Sequence, residues 1–367
     1  MTRTLEAGLD FSVRRDDWSK TRFSPSEAPA DLAPGRVLFR VDRAAFTANN
    51  ISYAAAGDML RYWDFFPDEA GWGRIPTMGY ADVVASTHPD VAEGTRCWGF
   101  YPISRYLVIE PDKATAVSIS DGAAHRQGLA AAYNNYAPIG GDVNYSPDYE
   151  DHDMLFRGLF MTSFLCDDFM REEDFFGATR VVIGSASSKT AIVLAHLLAK
   201  AGGIRVVGLT SPGNADFVRG LGLYDDVILY ENTASIEAGT PTVYVDMAGN
   251  GDVTAALHQA LKDDLRYDCT VGATHWSSSR TPGDLPGPKP EFFFAPGQIA
   301  KRSKEWGPEG LQQRMAEAWL GFRDGIESWL EIRRSRGEEA VSRVYADTLG
   351  GRVAPNVGNI ISLWDAS

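Results

Sequence analysis

The segment Val181-Val182-Ile183-Gly184-Ser185-Ala186-Ser187-Ser188-Lys189-Thr190-Ala191 sets small residues between a β-branched run and a helix-forming run. Small side chains let an anion approach the main chain, the N–H groups at a helix N-terminus point at it, and the helix dipole favours it. A dinucleotide pyrophosphate sits at such a turn, although only Gly184 remains of the glycine fingerprint. An ordinary strand-to-helix turn capped by Ser187 or Ser188 fits the same residues. Lys189-Thr190 also invites comparison with a nucleoside triphosphate loop, but Ser188 occupies the second glycine position and Gly184 lies one residue too close.

The next strand-like run, Arg205-Val206-Val207-Gly208-Leu209, ends in Thr210-Ser211, where an NAD-binding chain usually presents Asp or Glu to the ribose. Without a carboxylate a 2′-phosphate is not repelled. Thr210 and Ser211 can donate hydrogen bonds to it and Arg219 or Lys189 can supply charge, so NADPH is expected over NADH. The alternative for Thr210-Ser211-Pro212-Gly213 is a plain turn.

These residues need elements to carry them. Thr179–Ile183, Ile204–Leu209, Asp226–Leu229 and Thr242–Asp246 read as strands, with helices at Lys189–Ala201, Gly213–Leu221 and Gly251–Leu261, an alternation that implies a parallel doubly wound sheet. Further strands are expected at Tyr267–Gly272 and Glu291–Ala295, a loop over Thr274–Pro290, a long helix over Leu311–Arg336 and a closing strand at Asn359–Leu363. A helix over Leu155–Phe169 precedes this region. The first 150 residues differ: short runs such as Arg36–Val41, Tyr80–Ala85 and Arg105–Ile109 between Gly, Pro and Asp turns predict a mainly β unit. The expected division is 1–150 with 309–367 in one domain and 151–308 in the other.

Composition supports a self-sufficient globular chain, since 367 residues with 44% hydrophobic and 11% aromatic content can bury two cores without metals or disulfides. A net charge of −14 opposes nucleic acid and anionic membrane surfaces and points to a small-molecule partner. Cys97, Cys166 and Cys269 are odd in number and in no metal-ligand spacing, which suits a reducing compartment. Neither a signal peptide nor a membrane-length apolar run is apparent, and a cytoplasmic location is expected.

In its order of segments the chain resembles the medium-chain dehydrogenase/reductase superfamily, in particular the zinc-free, quinone-oxidoreductase-like branch. Gly184-Ser185-Ala186-Ser187-Ser188-Lys189-Thr190 falls where that branch carries its phosphate turn. Leu221–Ile228 resembles the "L-G-A-D-x-V-I" stretch, Val243–Gly249 the "D-x-x-G" strand end containing Asp246, and Thr270-Val271-Gly272-Ala273-Thr274 the strand lining the nicotinamide. Phe65-Phe66-Pro67, Gly99-Phe100-Tyr101-Pro102 and Phe293–Gln298 resemble a bacterial group catalogued as a domain of unknown function, DUF2855. The resemblance implies an α/β fold, a GroES-like mainly β catalytic domain with a Rossmann cofactor domain, and a homodimer.

Phe46–Tyr53 resembles the "N-x-x-D" active-site loop, with Asn49 and Asn50 where zinc-dependent relatives place Cys, so no metal is expected. In that loop Tyr53 is the candidate proton donor, while Asn49 and Asn50 are suited to orient a carbonyl or the nicotinamide amide; packing is the plainer role for Tyr53. Tyr133-Asn134-Asn135-Tyr136 and Tyr145 are candidates for a substrate wall, chiefly Tyr133, Asn135 and Tyr145, or else a loop bonded to itself. His275, beside the nicotinamide strand, is a candidate substrate contact or acid, whereas His196 and His258 lie in predicted helices as packing or exposed residues. The crowded run Tyr62-Trp63-Asp64-Phe65-Phe66 reads first as core, then as a pocket or subunit contact. The expected activity is hydride transfer from NADPH to an activated alkene, quinone or carbonyl. Its alternatives are a metal-free carbonyl reductase or alcohol dehydrogenase, and a cofactor-binding sensor or scaffold without turnover.

Overall fold

In the second half of the chain, Arg180–Ile183, Arg205–Thr210, Asp226–Leu229, Thr242–Asp246, Leu265–Thr270 and Glu291–Phe292 form one sheet in which every neighbouring pair is parallel. Numbered along the chain, the strands lie in the order 3-2-1-4-5-6. Parallel strands are joined by crossovers that cover the sheet's faces, so central strands are apolar throughout. Val181, Val182, Ile183, Val243 and Val245 are accordingly buried completely. The helices Lys189–Ala201, Ala215–Gly220 and Gly251–Leu261 supply the crossovers. The order reverses between strands 1 and 4, and a doubly wound sheet takes ligands at the C-terminal ends beside such a reversal. Gly184, Thr210, Tyr230 and Asp246 stand at those ends.

The computed structural model describes residues 5–26, 31–142, 144–271 and 285–365. The chain divides into two units, Met1–Leu155 with Glu331–Val353 and Val357–Ser367, and Phe156–Leu330 with Ala354–Asn356. The return to the first unit thus falls at Glu331 rather than at residue 309. The cause is the helix Ala295–Ile326, which turns at Gly307 with φ 75° before Pro308 and continues to bury Leu311, Phe322 and Ile326. Phe322 packs edge-on against Phe156 at 5.4 Å and His196 at 5.2 Å, which holds that helix in the parallel-sheet unit. The single helix expected over Leu311–Arg336 is therefore wrong at its end: Glu331–Arg336 is a strand, paired in parallel with Val357–Ser362.

The first unit is mainly β. Val37–Phe46, Pro76–Ser86 and Arg96–Pro102 form the antiparallel centre of a nine-stranded sheet, and Val357–Ser362 pairs with the first of them. A three-stranded sheet contains Gly8–Arg14, Thr21–Ser26 and Trp72–Gly73. Two helices were missed by the sequence reading: Ala48–Ala55, where a loop was expected, and Gly337–Leu349. Among the described residues no helix is long and apolar enough to cross a membrane.

A buried ion pair braces the parallel sheet. His258 and Asp268 are both fully buried, with Nε2 2.7 Å from a carboxylate oxygen, while Nδ1 lies 2.8 Å from the Pro286 carbonyl. Both ring nitrogens face acceptors, so the pair must hold two protons, which the imidazolium form of His258 supplies beside the Asp268 carboxylate. Burial by itself would lower the imidazole pKa, but the hydrogen bonds to Asp268 and Pro286 prevail and hold it above its usual value. A raised imidazole pKa gives stability that is complete below the free-histidine value and is lost as pH rises through the raised one. Asp268→Ala is expected to cost about 3 kcal/mol at low pH and clearly less near about pH 9. Urea unfolding at both pH values checks this, and an equal cost at both would contradict it.

Candidate functional site

The phosphate turn is built on strand 1, whose end is fixed when Gly184 N–H donates to Val245 O at 2.8 Å. A Cβ on Gly184 would stand 2.9 Å from the hydroxyl of the buried Tyr244, which would have to shift to admit it. Ser185 then takes a left-handed backbone, φ 53°, at a cost on the order of 1 kcal/mol for a residue other than glycine. That conformation turns its N–H onto the Tyr230 hydroxyl at 3.1 Å. Ala186 N–H donates to Leu209 O at 2.9 Å, and the Tyr224 hydroxyl donates to Ala186 O at 2.8 Å. Asn214 donates to Ser187 Oγ at 3.0 Å, and Ser188 Oγ caps the helix by accepting from Ala191 N–H. Three tyrosines from distant strands and loops thus shape a turn that glycines would otherwise make. Sequence reading missed all three; the one available signal was Tyr230, the residue immediately after strand 3.

Around the turn, Thr210 is fully buried and its hydroxyl has no partner among the described residues. Its position at the end of strand 2, without a carboxylate on 210 or 211, suits an anionic oxygen, as does the positive end of the helix Lys189–Ala201. Lys189 opens that helix and donates to Pro355 O at 3.3 Å; burial pushes its ammonium pKa down to about 8. Thr190 accepts from Ser163 Oγ through its carbonyl and is fixed in the helix. Ser211 begins the short turn before Ala215. Arg219 is exposed and paired with Asp216 at 3.2 Å within one helical turn. One expectation needs correction. Asp246 is buried, with Oδ1 accepting from Ala248 and Gly249 N–H and Oδ2 from Thr254, so its side chain anchors the strand end instead of facing a ligand. Gly272, Thr274 and His275 lie outside the described residues.

In the mainly β unit, Thr47 starts the helix Ala48–Ala55 and Asn50 secures that start. The Asn50 Oδ1 accepts from Thr47 N–H at 2.7 Å and its Nδ2 donates to Pro76 O at 2.8 Å, leaving a fully buried side chain with no polar atom for a substrate. The orienting role expected of Asn50 is therefore not supported; Asn49, one turn before Tyr53, makes a polar contact with the Tyr53 hydroxyl. Burial raises the Tyr53 pKa well above the ordinary phenol value, the neighbouring Tyr133 adds to this, and Asn49 opposes it, so Tyr53 remains a neutral donor at physiological pH. Its ring meets Tyr62 edge-on at 4.9 Å and Phe100 at 6.0 Å. Tyr133 joins the same group, 5.7 Å from the Tyr62 ring and 5.5 Å from Phe100. Tyr53 and Tyr133 are thus brought together, with Tyr62 between them.

The other members of the expected substrate wall lie elsewhere in this unit. Tyr145 donates to Glu150 at 2.8 Å, inside a charge network where Glu150 also binds Arg96 at 2.6 Å and Arg43 at 2.8 Å. Burial and the Glu150 hydrogen bond push the Tyr145 phenol up to about 12. Asn135 accepts from Ser118 beside the strand pairing of Asn135–Pro138 with Ile119–Asp121. Both side chains are used by the fold.

The parallel sheet ordered 3-2-1-4-5-6 and the mainly antiparallel β unit give the chain its likeness in fold to several solved structures. The chain superposes on CurA from Vibrio vulnificus with a TM-score of 0.58 and 15% identity, over 98% of this chain and 99% of that one. A Mesorhizobium loti protein described as a candidate NADPH:quinone reductase gives 0.62 and 13%, over 98% and 100%. A mutant enoyl thioester reductase from Candida tropicalis gives 0.57 and 11%, over 98% and 100%. The chain belongs to the family described as "Protein of unknown function (DUF2855)", whose model matches residues 44–354. No curated protein matches it in sequence.

If the turn holds an anion, the buried ammonium of Lys189 at the start of the helix would make that binding sensitive to alkaline pH. With its pKa near 8, the ammonium charge that favours an anion is lost above that value. The affinity of 2′,5′-ADP is expected to fall between about pH 7 and about pH 9 in the native protein and to be flatter in Lys189→Met. Calorimetric titration checks it; parallel pH curves for the two proteins would contradict it.

Proposed function

We propose that this protein is an NADPH-dependent reductase that transfers hydride to an activated alkene, quinone or carbonyl of a small molecule without a zinc ion. The observation that carries the reading is the turn at Gly184–Ser188, which stands at the switch point of the parallel sheet next to the buried, unpartnered hydroxyl of Thr210. Gly184, the N-terminus of the helix Lys189–Ala201, Lys189, Thr210 and Ser211 would suit a dinucleotide bearing a 2′-phosphate, since small or donor groups stand at the turn and positions 210 and 211 carry no carboxylate. The comparisons lend support, since CurA has been solved with NADPH, an oxidoreductase from Salmonella enterica with NADP, and an Etr1p variant with NADP and crotonyl-CoA.

When bound, the nicotinamide supplies two electrons and a hydrogen as hydride. The chain's own residues manage the charge that results. Hydride addition to an enone or carbonyl leaves an enolate or alkoxide, and a neutral donor in hydrogen-bond reach stabilises it and then protonates it. Tyr53 suits that task because burial keeps its phenol protonated. Asn49 orients the Tyr53 hydroxyl from one helical turn away. Zinc is not needed in this scheme, and the residues at the matching loop positions, Asn49 and Asn50, are poor zinc ligands.

The test is consumption of NADPH in the presence of an α,β-unsaturated ketone or a quinone, with product analysis. Tyr53→Phe is expected to lower kcat roughly 10²-fold while leaving NADPH affinity unchanged. An unaltered kcat would remove Tyr53 from the chemistry, and NADPH binding without turnover of any such acceptor would favour a sensor or scaffold.

A further inference from the structure

Within the parallel-sheet unit, a cavity of about 420 Å³ lies between the second half of the helix Glu150–Glu172, the end of the helix Lys189–Ala201 and the helix Ala295–Ile326. That volume admits a small molecule. Lys200 lines the cavity and stands eleven residues after Lys189 on one helix, about 16 Å along its axis from the turn at Gly184. The cavity is therefore a different place from the proposed cofactor site.

Some of the charges around it are already matched. Asp167 is paired with Arg171 at 2.9 Å and Asp168 with Arg302 at 2.6 Å. Lys200, Arg314 and Glu317 also line the cavity, are exposed, and form no ion pair among the described residues. Glu317 accepts only an uncharged donor, Gln313 at 2.9 Å. The helix Ala295–Ile326 sets the order of these charges, because positions 314, 317 and 321 fall on one face at successive turns. A Cβ on Gly321 would collide with the Lys200 ammonium, which therefore rests on the bare backbone one turn past Glu317. Arg314, one turn before Glu317, would ordinarily reach it. Instead its guanidinium lies 4.6 Å from the centre of the Trp306 ring, drawn back across the bend at Gly307. Along that face the unmatched charges run positive, negative, positive. In a chain of net charge −14, an excess of positive charge facing a cavity is a local reversal.

We propose that this cavity binds a small acidic amino acid of the glutamate type, separately from the cofactor turn. The two carboxylates of the ligand pair with Arg314 and Lys200, and the ammonium between them pairs with Glu317, so that its order of charges, negative, positive, negative, complements the wall. A dicarboxylate without the ammonium leaves Glu317 facing like charges, and an amino acid with one carboxylate leaves one cation unanswered. Phe164, Trp306 and Ala318 supply an apolar wall for the ligand's methylene groups.

Isothermal titration of the full chain with L-glutamate, glutarate and L-glutamine tests the proposal. L-Glutamate is expected to bind saturably, about fivefold more tightly than glutarate or L-glutamine, and equally well when 2′,5′-ADP is present. Arg314→Gln and Lys200→Met are each expected to weaken L-glutamate about fivefold, with the melting temperature unchanged because both side chains are exposed. Glu317→Gln is expected to reverse the preference, so that glutarate binds more tightly than L-glutamate. The proposal is overturned by no saturable binding of L-glutamate to the native protein, by glutarate or L-glutamine binding as tightly, or by displacement with 2′,5′-ADP. Unaltered affinity in Arg314→Gln or Lys200→Met, or an unreversed preference in Glu317→Gln, overturns it as well.

Discussion

The hydrogen bond from Ser185 N–H to the Tyr230 hydroxyl joins strand 1 to the segment following strand 3, across the C-terminal edge of the parallel sheet. A glycine-rich turn opens its backbone to an anion because nothing hinders it. Here the backbone is serine and alanine, and its path is set by contacts: Tyr244 beneath Gly184, Tyr230 at Ser185 and Tyr224 at Ala186. The left-handed Ser185 is the local cost of that arrangement. The start of the helix Lys189–Ala201, the cap at Ser188 and the approach to Thr210 all depend on this turn keeping its shape.

Much of the parallel-sheet unit was legible in the sequence, since buried parallel strands are continuous apolar runs and helices between them carry their own periodicity. The helices Lys189–Ala201 and Gly251–Leu261 and the strands Asp226–Leu229 and Thr242–Asp246 have the expected bounds. Glu331–Arg336 was not legible as a strand: its arginines continue a charged helical pattern, and only pairing with Val357–Ser362 decides its state. The helix Ala48–Ala55 was hidden behind a family motif read as a loop, although Thr47 and Asn50 have the spacing of a cap.

Site residues divide along the same line. Small residues and a missing carboxylate are local facts, so Gly184 and Thr210 could be found by reading along the chain. Partnership is not local. Asn49 and Asn50 are chemically identical neighbours, and only the fold shows that one faces Tyr53 while the other is spent on Thr47 and Pro76. Tyr145 and Asp246 were plausible ligands by type, yet each satisfies a structural partner instead. Tyr62 looked like core because its link to Tyr133 spans 71 residues.

A tyrosine-shaped turn that still accepts a 2′-phosphorylated dinucleotide is the central claim. Isothermal titration of the native protein with NADPH and with NADH tests it directly. The account predicts saturable NADPH binding that exceeds NADH binding by roughly tenfold or more, equivalent to at least about 1.4 kcal/mol. Equal affinity for the two would contradict the role given to Thr210 and Ser211, and binding of neither would contradict the cofactor reading itself.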